Sequence, residues 1–207
     1  MTISNAVKFL EDAYDILNKT YFENALSRPV ITIQSTPGVN GHYEPNEVWK
    51  DQKRGKGYRE INIAAESLAR PTANVIATLV HEMVHQYCDL NGIKDTSRGA
   101  TYHNSRFKAE AEARGLDISY DKKIGWSITQ PTKELRSLCA RQHWNGKLTA
   151  CRQWTPKDPK DPKPSSTRKY TCPCCGQSVR ATKTVNIVCG DCQKVMVTDA
   201  ASEARTA

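Results

Sequence analysis

Apolar side chains recur at helical spacing in three parts of the chain. The first pattern predicts an amphipathic helix from about residue 4 to residue 19, with steps of three and four between its apolar positions. These positions are Ile3, Val7, Leu10, Tyr14 and Leu17. A second helix, with a broader apolar face, is predicted from Thr72 onward. A third is predicted to begin at Asn104 or Ser105, either of which can cap it, and to end at Gly115.

Two short strands are predicted between the first two helices. Val30, Ile31 and Ile33 form a β-branched run, while Ile61 and Ile63 alternate with a polar residue. Four glycines and a proline between these segments indicate turns, at Gly38, Gly41, Pro45, Gly55 and Gly57. Helices packed on a small sheet define an α+β fold class.

A proline-rich segment separates two predicted domains. Residues 155–169 contain four prolines and no large apolar side chain, so they cannot form a core and are predicted to be an extended linker. The domains on either side are residues 1–154 and residues 170–198. Residues 125–154 show no legible pattern, and no role is assigned to them.

Composition and charge indicate the cellular location of the protein and the kind of partner that it binds. The first thirty of the 207 residues contain no long apolar run, so neither a signal peptide nor a membrane span is predicted, and a cytoplasmic protein is expected. The formal net charge of +8 is concentrated in residues 141–207, which hold 12 Lys and Arg against 5 Asp and Glu. This asymmetry favours a polyanionic partner, most often nucleic acid. A solvated surface that only improves solubility has the same composition.

The segment His81-Glu82-Met83-Val84-His85 indicates a metal site on the second helix. Residues four apart share a helix face, so His81 and His85 can offer two imidazoles to one ion. Glu82 points about a quarter-turn away, where its carboxylate can reach a water in the metal's open position without binding the metal. This arrangement is typical of a catalytic zinc site, which needs a third protein ligand.

His103 is the predicted third ligand, because it stands just before the third helix. The alternatives left open are carboxylates, namely Asp89, Glu110 and Glu112. His42 and His143 are isolated and are predicted to be structural or surface residues. In such a site zinc lowers the pKa of bound water to roughly 7, and Glu82 takes the water's proton as the oxygen attacks a peptide carbonyl.

Four of the eight cysteines predict a second, structural zinc site. Cys172 and Cys175, and again Cys189 and Cys192, are separated by two residues, with 13 residues between the pairs. Four thiolates in this pattern form a closed tetrahedral site, whereas disulfides are disfavoured in the cytosol. Residues 178–182 and 185–188 are predicted to pair as a hairpin between the two knuckles, which completes a zinc ribbon. Cys174 is the odd thiol, and the alternative left open is a register that uses it in place of Cys172 or Cys175 and breaks this spacing.

Basic and aromatic residues surround the cysteines and predict contacts with single-stranded DNA. Lysine and arginine attract phosphates, and aromatic rings stack on bases without reading sequence. The predicted contact residues are Lys157, Lys160, Lys163, Arg168, Lys169, Tyr170, Arg180 and Lys183, with Trp154 and Lys194 nearby. The alternative is that the ribbon docks onto a protein.

In their order along the chain, these features resemble the SprT-like family of zinc metallopeptidases, whose Spartan relatives cleave proteins crosslinked to DNA. The resemblance rests on Asn18, Tyr21-Phe22 and Leu26, on His81-Glu82-Met83-Val84-His85, on His103 four residues before Phe107, and on the cysteine ribbon introduced by Tyr170. In the family the third histidine is usually followed by glycine, whereas Asn104 stands here.

The resemblance implies a zincin-like α+β catalytic domain in residues 1–154, one catalytic and one structural zinc ion, and a DNA-associated peptidase. Two other classes of protein fit the same sequence. In one, both zinc ions are structural and the chain only binds nucleic acid or a regulatory partner. Glu82 argues against that class, because a structural site has no use for a carboxylate beside an open position. In the other, the chain is a peptidase whose ribbon binds protein.

Overall fold

The computed structural model describes residues 2–153 and 167–198. The chain divides into two compact units, Met1–Trp154 and Thr155–Ala207. The described residues combine α-helices with small β-sheets, so the α+β class predicted from the sequence is confirmed. Among these residues, no helix has both the length and the apolar composition needed to cross a bilayer.

The first unit begins with a helix and a three-stranded sheet. Helix α1 is Ile3–Tyr21, and the strands are β1, Val30–Gln34, β2, Gly41–Lys50, and β3, Gly57–Ala64. The strand order is β1-β3-β2, with β1 parallel and β2 antiparallel to β3, so β2 is an edge strand. A 3-10 helix at Ala65–Ala69 leads into helix α2, Thr72–Leu90.

The remainder of the first unit adds a four-stranded sheet and two helices. The strands are β4, Thr96–Ser97, β5, Tyr102–His103, β6, Leu116–Asp121, and β7, Gly125–Pro131; the helices are α3, Ser105–Glu112, and α4, Lys133–Arg141. The strand order is β4-β5-β7-β6. Residues 125–141, which carry no legible sequence pattern, thus form a strand and a helix, and Trp144 and Leu148 are buried in the core.

Helix α2 occupies the centre of the core. Fourteen of its residues are buried, and α1 buries Leu10, Tyr14 and Leu17 in the same apolar cluster. The Tyr14 hydroxyl donates to Oε1 of the fully buried Gln86 at 2.8 Å, which satisfies a polar group between the two helices. Residues on α2 are therefore held in place by packing on both sides.

The interpretation of residues 38–57 as turns alone was wrong. Gly41 begins β2, Pro45 lies within it, and Gly57 begins β3. Most of β2 is exposed, and its pairing with β3 shifts between Glu44 and Trp49, so it shows neither apolar alternation nor a regular register. An edge strand with a bulge tolerates proline, which explains why the turn-forming residues were misleading.

The described part of the second unit is a small sheet around two cysteine turns. Its strands are β8, Arg168–Thr171, β9, Ser178–Ala181, and β10, Val197–Thr198, in the order β10-β8-β9. The predicted pairing of residues 178–182 with residues 185–188 was wrong, because β9 pairs with β8. Residues 168 and 169, predicted to be linker, lie in β8, and linker residues 155–166 lie outside the described residues.

Each cysteine pair closes its own turn, which explains this topology. The backbone N–H of Cys172 donates to the carbonyl of Gln177 at 2.8 Å, and that of Cys189 donates to the carbonyl of Lys194 at 2.9 Å. A tight turn brings together the chain before and after it, so β8 and β9 flank the first pair. Around the second pair, an isolated bridge joins Val188 to Val195.

Candidate metal centres

Three imidazole rings converge in the first unit. The Nε2 atom of His81 lies 3.2 Å from Nε2 of His85 and 3.2 Å from Nε2 of His103, and the last two atoms are 3.0 Å apart. Nitrogen ligands around a tetrahedral zinc ion, with bonds of about 2.0–2.1 Å, lie roughly 3.3 Å apart. The three histidines therefore form a group compatible with zinc binding.

Secondary structure and one aromatic ring hold these histidines in place. His81 and His85 stand one turn apart on α2, whereas His103 ends β5 and donates its backbone N–H to the Ile124 carbonyl at 2.9 Å. The fully buried Phe107 of α3 contacts all three imidazoles, with ring centroids 4.5, 4.7 and 4.6 Å from those of His81, His85 and His103. This packing restricts rotation of the three rings.

The second ring nitrogen of each imidazole, Nδ1, also has a hydrogen-bond partner. Nδ1 of His85 lies 2.5 Å from Oδ2 of Asp95, Nδ1 of His81 lies 2.7 Å from Oγ1 of Thr129, and Nδ1 of His103 lies 3.3 Å from the Ile124 carbonyl. A proton held at Nδ1 leaves the lone pair of Nε2 free for a metal. Sequence reasoning missed Asp95 and Thr129, since no spacing rule marks them.

The surroundings of His81 and His103 favour their uncharged form. Burial lowers the pKa of His81 well below its usual value, and the neighbouring His85 and His103 lower it further. Burial, with His85 beside it, also lowers the pKa of His103 to about 4. A neutral imidazole is the form that binds a metal ion, so the electrostatics agree with the geometry.

Glu82 is buried beside this group without belonging to it. Its side chain is 5% exposed, and burial raises the pKa of its carboxyl to about 7, an effect that His85 and the backbone of Tyr43 partly offset. The carboxylate faces Gly41 of the edge strand β2, where a side chain would approach Glu82 Oε1. A buried carboxylate next to three converging imidazoles suits a catalytic zinc site.

None of the alternative third ligands lies in the histidine group. Asp89 accepts a hydrogen bond from the Tyr43 hydroxyl at 2.8 Å. Glu110 pairs with Arg114 at 2.5 Å, and Glu112 lies 3.7 Å from Lys108. His42 and His143 are exposed and also lie outside the group.

Four thiols meet in the second unit. The Sγ atoms of Cys172, Cys175, Cys189 and Cys192 all lie within 4.8 Å of one another, and this cluster is compatible with zinc. The backbone N–H groups of Cys175 and Cys174 donate to the sulfur of Cys172 and lower its pKa to about 7, which favours the thiolate that binds metal. The side chain of Cys174 is exposed and lies outside the cluster.

The residues predicted to contact nucleic acid fall into three groups. Lys157, Lys160, Lys163 and Trp154 lie outside the described residues. Arg168, Lys169, Arg180, Lys183 and Lys194 are exposed on the second unit. Tyr170 is buried with Cys172, Cys189 and Met196, and its hydroxyl accepts the Val185 N–H at 3.1 Å. The ring of Tyr170 therefore packs in the small core and is not accessible for stacking on a base.

Comparison of the sequence with known protein families and with curated proteins finds no match for this chain. A functional assignment therefore depends on the two candidate metal centres and on the residues around them.

Proposed function

We propose that this protein is a zinc-dependent endopeptidase of the SprT-like type that acts on DNA-bound or DNA-crosslinked proteins. The observation that carries the proposal is the convergence of three imidazole Nε2 atoms beside the buried Glu82. A structural zinc site closes its coordination with four protein ligands, as the cysteine cluster can. The histidine group supplies three, which suits a site that keeps one position open for water or substrate.

The residues around the histidines divide the chemistry between them. His81, His85 and His103 would hold the ion through Nε2, while Asp95, Thr129 and the Ile124 carbonyl orient the rings. Zinc bound there supplies a Lewis acid that polarises a carbonyl and lowers the pKa of a water molecule to about 7. Glu82 would take a proton from the attacking water at a carboxylate oxygen and return it to the amine as the C–N bond breaks, a role suited to its pKa of about 7.

The arrangement of elements supports a zincin-like assignment for the first unit. Helix α2 carries both histidines of the pentapeptide and contacts the antiparallel edge strand β2, and the third histidine comes from a short downstream strand. The assignment of the first unit to the zincin-like class rests on the sequence resemblance and is part of the proposal.

The second unit is proposed to hold the structural zinc ion and to contribute to DNA binding. Its cysteine cluster is a closed set of four ligands, and exposed basic residues lie on its sheet. The excess of positive charge in residues 141–207 suits a polyanionic partner. A DNA-associated, cytoplasmic peptidase is the corresponding cellular role.

The test uses the zinc-loaded full chain and a DNA-binding protein as substrate, with and without single-stranded DNA. The parent protein is expected to cleave the substrate. The variant Glu82→Gln is expected to retain two zinc ions but to lose about 100-fold or more of the cleavage rate, because it lacks the general base. Glu11→Gln, which removes a partly exposed carboxylate on α1 that lies 3.9 Å from Arg28, serves as the matched control and is expected to cleave like the parent.

Two results would contradict the proposal. Cleavage by Glu82→Gln at the parent rate would remove the general base. A parent protein that binds two zinc ions and cleaves nothing would favour the non-catalytic alternative, in which the chain binds nucleic acid or a regulatory partner.

A further inference from the structure

A continuous row of aromatic and basic side chains lies along the second sheet of the first unit and along helix α3, which packs on that sheet. In spatial order the aromatic row consists of Arg98, Tyr102, Tyr120, Trp126 and Lys108. The guanidinium carbon of Arg98 lies 4.5 Å from the ring centroid of Tyr102, and Nζ of Lys108 lies 4.1 Å from that of Trp126. Between these cations, the Tyr102 and Tyr120 hydroxyls are 3.2 Å apart, and the Tyr120 and Trp126 rings are 5.1 Å apart.

The row combines accessible rings with a firm attachment to the fold. Tyr120 is 48% exposed and Arg98 is exposed, whereas Trp126 is half-buried and packs against the hydrophobic core. An aromatic surface anchored at one end and open at the other loses little conformational entropy when it binds a planar ligand.

Of the cations at this surface, Lys108 has an ion-pair partner, Glu112 at 3.7 Å. The turn between β6 and β7 adds the exposed Lys122 and Lys123. Within the described parts of the chain, no carboxylate lies within 4.0 Å of the charged nitrogens of Arg98, Lys122 or Lys123. The acidic residue of this turn, Asp121, uses Oδ1 to accept the backbone N–H groups of Lys123 and Ile124, at 2.7 and 3.1 Å.

The aromatic row lies beside the histidine group. Tyr102 directly precedes His103, and His103 pairs with Gly125 at the start of β7. The two strands approach so closely that a Cβ atom at Gly125 would collide with the carbonyl oxygen of His103. The turn that carries Lys122 and Lys123 is therefore fixed next to a predicted metal ligand.

We infer that the aromatic row, with Lys122 and Lys123, binds single-stranded nucleic acid through residues of the first unit alone. Lys122, Lys123 and Arg98 contact phosphates, and Arg98 can do so while stacked on Tyr102, because the guanidinium edge stays free. The exposed ring of Tyr120 stacks on a base. Stacking requires bases that are not already paired within a duplex, so the row selects single strands.

Binding at the aromatic row extends the proposed function, and one consequence of it rests on that function. A strand held by the aromatic row passes next to His103, so a protein attached to that strand is brought to the histidine group. The binding itself does not require cleavage. It can therefore be measured in the Glu82→Gln chain, where loss of binding is not confused with loss of proteolysis.

The test measures binding of a fluorescein-labelled oligothymidine to the zinc-loaded full chain by fluorescence anisotropy at several salt concentrations. Tyr120→Ala is expected to raise Kd about fivefold or more, and Tyr120→Phe to stay within twofold of the parent, because phenylalanine keeps the ring. Lys122→Gln combined with Lys123→Gln is expected to weaken binding and to reduce the salt slope by about two. Lys50→Gln combined with Lys53→Gln removes the same charge from exposed positions at the end of β2 and in the turn that follows it, and serves as the control.

Photochemical crosslinking of the same oligonucleotide locates the contact directly, even if the second unit also binds. A crosslink to the peptide that contains Tyr120 or Trp126 is the expected result. Crosslinks confined to residues 167–198, or a Tyr120→Ala variant that binds like the parent, would overturn the inference while leaving the proposed peptidase untouched. Equal competition by polyglutamate would also overturn it, because an acidic polypeptide would then be the ligand. A chain that binds through the row but cleaves nothing would contradict the proposed function alone.

Discussion

Nδ1 of His85 lies 2.5 Å from Oδ2 of Asp95, and this contact ties a ring on α2 to the loop that precedes β4. The loop is held in turn by Asn104, which donates its side-chain Nδ2 to the Lys94 carbonyl at 2.8 Å and its backbone N–H to the Asp95 carbonyl at 3.0 Å. The Asn104 side chain also caps α3, so one residue positions both Asp95 and the helix that follows His103.

Replacement of Asp95 by asparagine is expected to weaken zinc binding at the histidine group about 10- to 100-fold. The negative charge of Asp95 orients the His85 ring and makes its Nε2 more basic, and asparagine lacks this charge. Competition with a chromophoric chelator measures the affinity, and the unchanged cysteine cluster serves as an internal reference. Asp12→Asn, which removes an exposed carboxylate on α1, is expected to bind zinc like the parent. Equal affinity in the two variants would show that Asp95 does not support the site.

Only those members of the histidine group that are close in sequence could be predicted from a sequence pattern. His81, Glu82 and His85 follow from the period of one helix, which is a property of consecutive residues. The position of His103 depends on the pairing of β5 with β7, more than twenty residues further along the chain, so Asp89, Glu110 and Glu112 stayed open as alternatives. Asp95 and Thr129 reach the imidazoles through the same tertiary contacts, and their own neighbours in sequence give no sign of this.

The fold shows the same limit. Helices α1 and α2 were predicted because their apolar positions repeat at helical spacing, and strands β1 and β3 because β-branched residues are concentrated in them. The edge strand β2 was missed because most of its side chains face water, so its geometry comes from hydrogen bonds to β3 rather than from a hydrophobic pattern. In the second unit, the cysteine spacing predicted which four thiols lie together but not which segments pair around them.

Gly41 of the edge strand faces α2 at the level of Glu82. Its backbone does not lie in the left-handed region, so glycine is required here for space rather than for conformation. A Cβ atom would lie 2.9 Å from the backbone oxygen of Asn62, 3.0 Å from Cγ2 of Thr78 and 3.1 Å from Oε1 of Glu82. Because the Asn62 oxygen belongs to the backbone of β3, β2 has to shift, and the Glu82 side chain has to yield by a few tenths of an ångström.

The variant Gly41→Ala is expected to lower the free energy of unfolding by about 1–3 kcal/mol, the usual cost of overpacking. It is also expected to lower kcat of the proposed peptidase while zinc remains bound, because the Glu82 carboxylate is displaced and the three imidazoles are not. Urea denaturation followed by tryptophan fluorescence, metal content and cleavage kinetics test the two parts separately. Gly190→Ala has ordinary backbone geometry and no atom within 4 Å of its Cβ, so it should match the parent. A Gly41→Ala variant with the stability and kcat of the parent would refute the steric argument.

Cys174 and Cys175 are neighbours in sequence, but only Cys175 lies in the thiol cluster. The described part of the second unit has a small buried core, made of Tyr170, Cys172, Cys189 and Met196. So little buried apolar surface cannot hold a domain together, and the metal is expected to supply most of its stability.

Cys175→Ser should therefore reduce the zinc content of the full chain from about two ions to about one. The same change should make the amides of β8 and β9 exchange rapidly with solvent while those of α2 stay protected, as measured by hydrogen exchange. Cys174→Ser changes the adjacent thiol and should retain both the zinc and the protection. The opposite pattern, with zinc lost from Cys174→Ser and kept by Cys175→Ser, would mean that the first pair of ligands is Cys172 and Cys174.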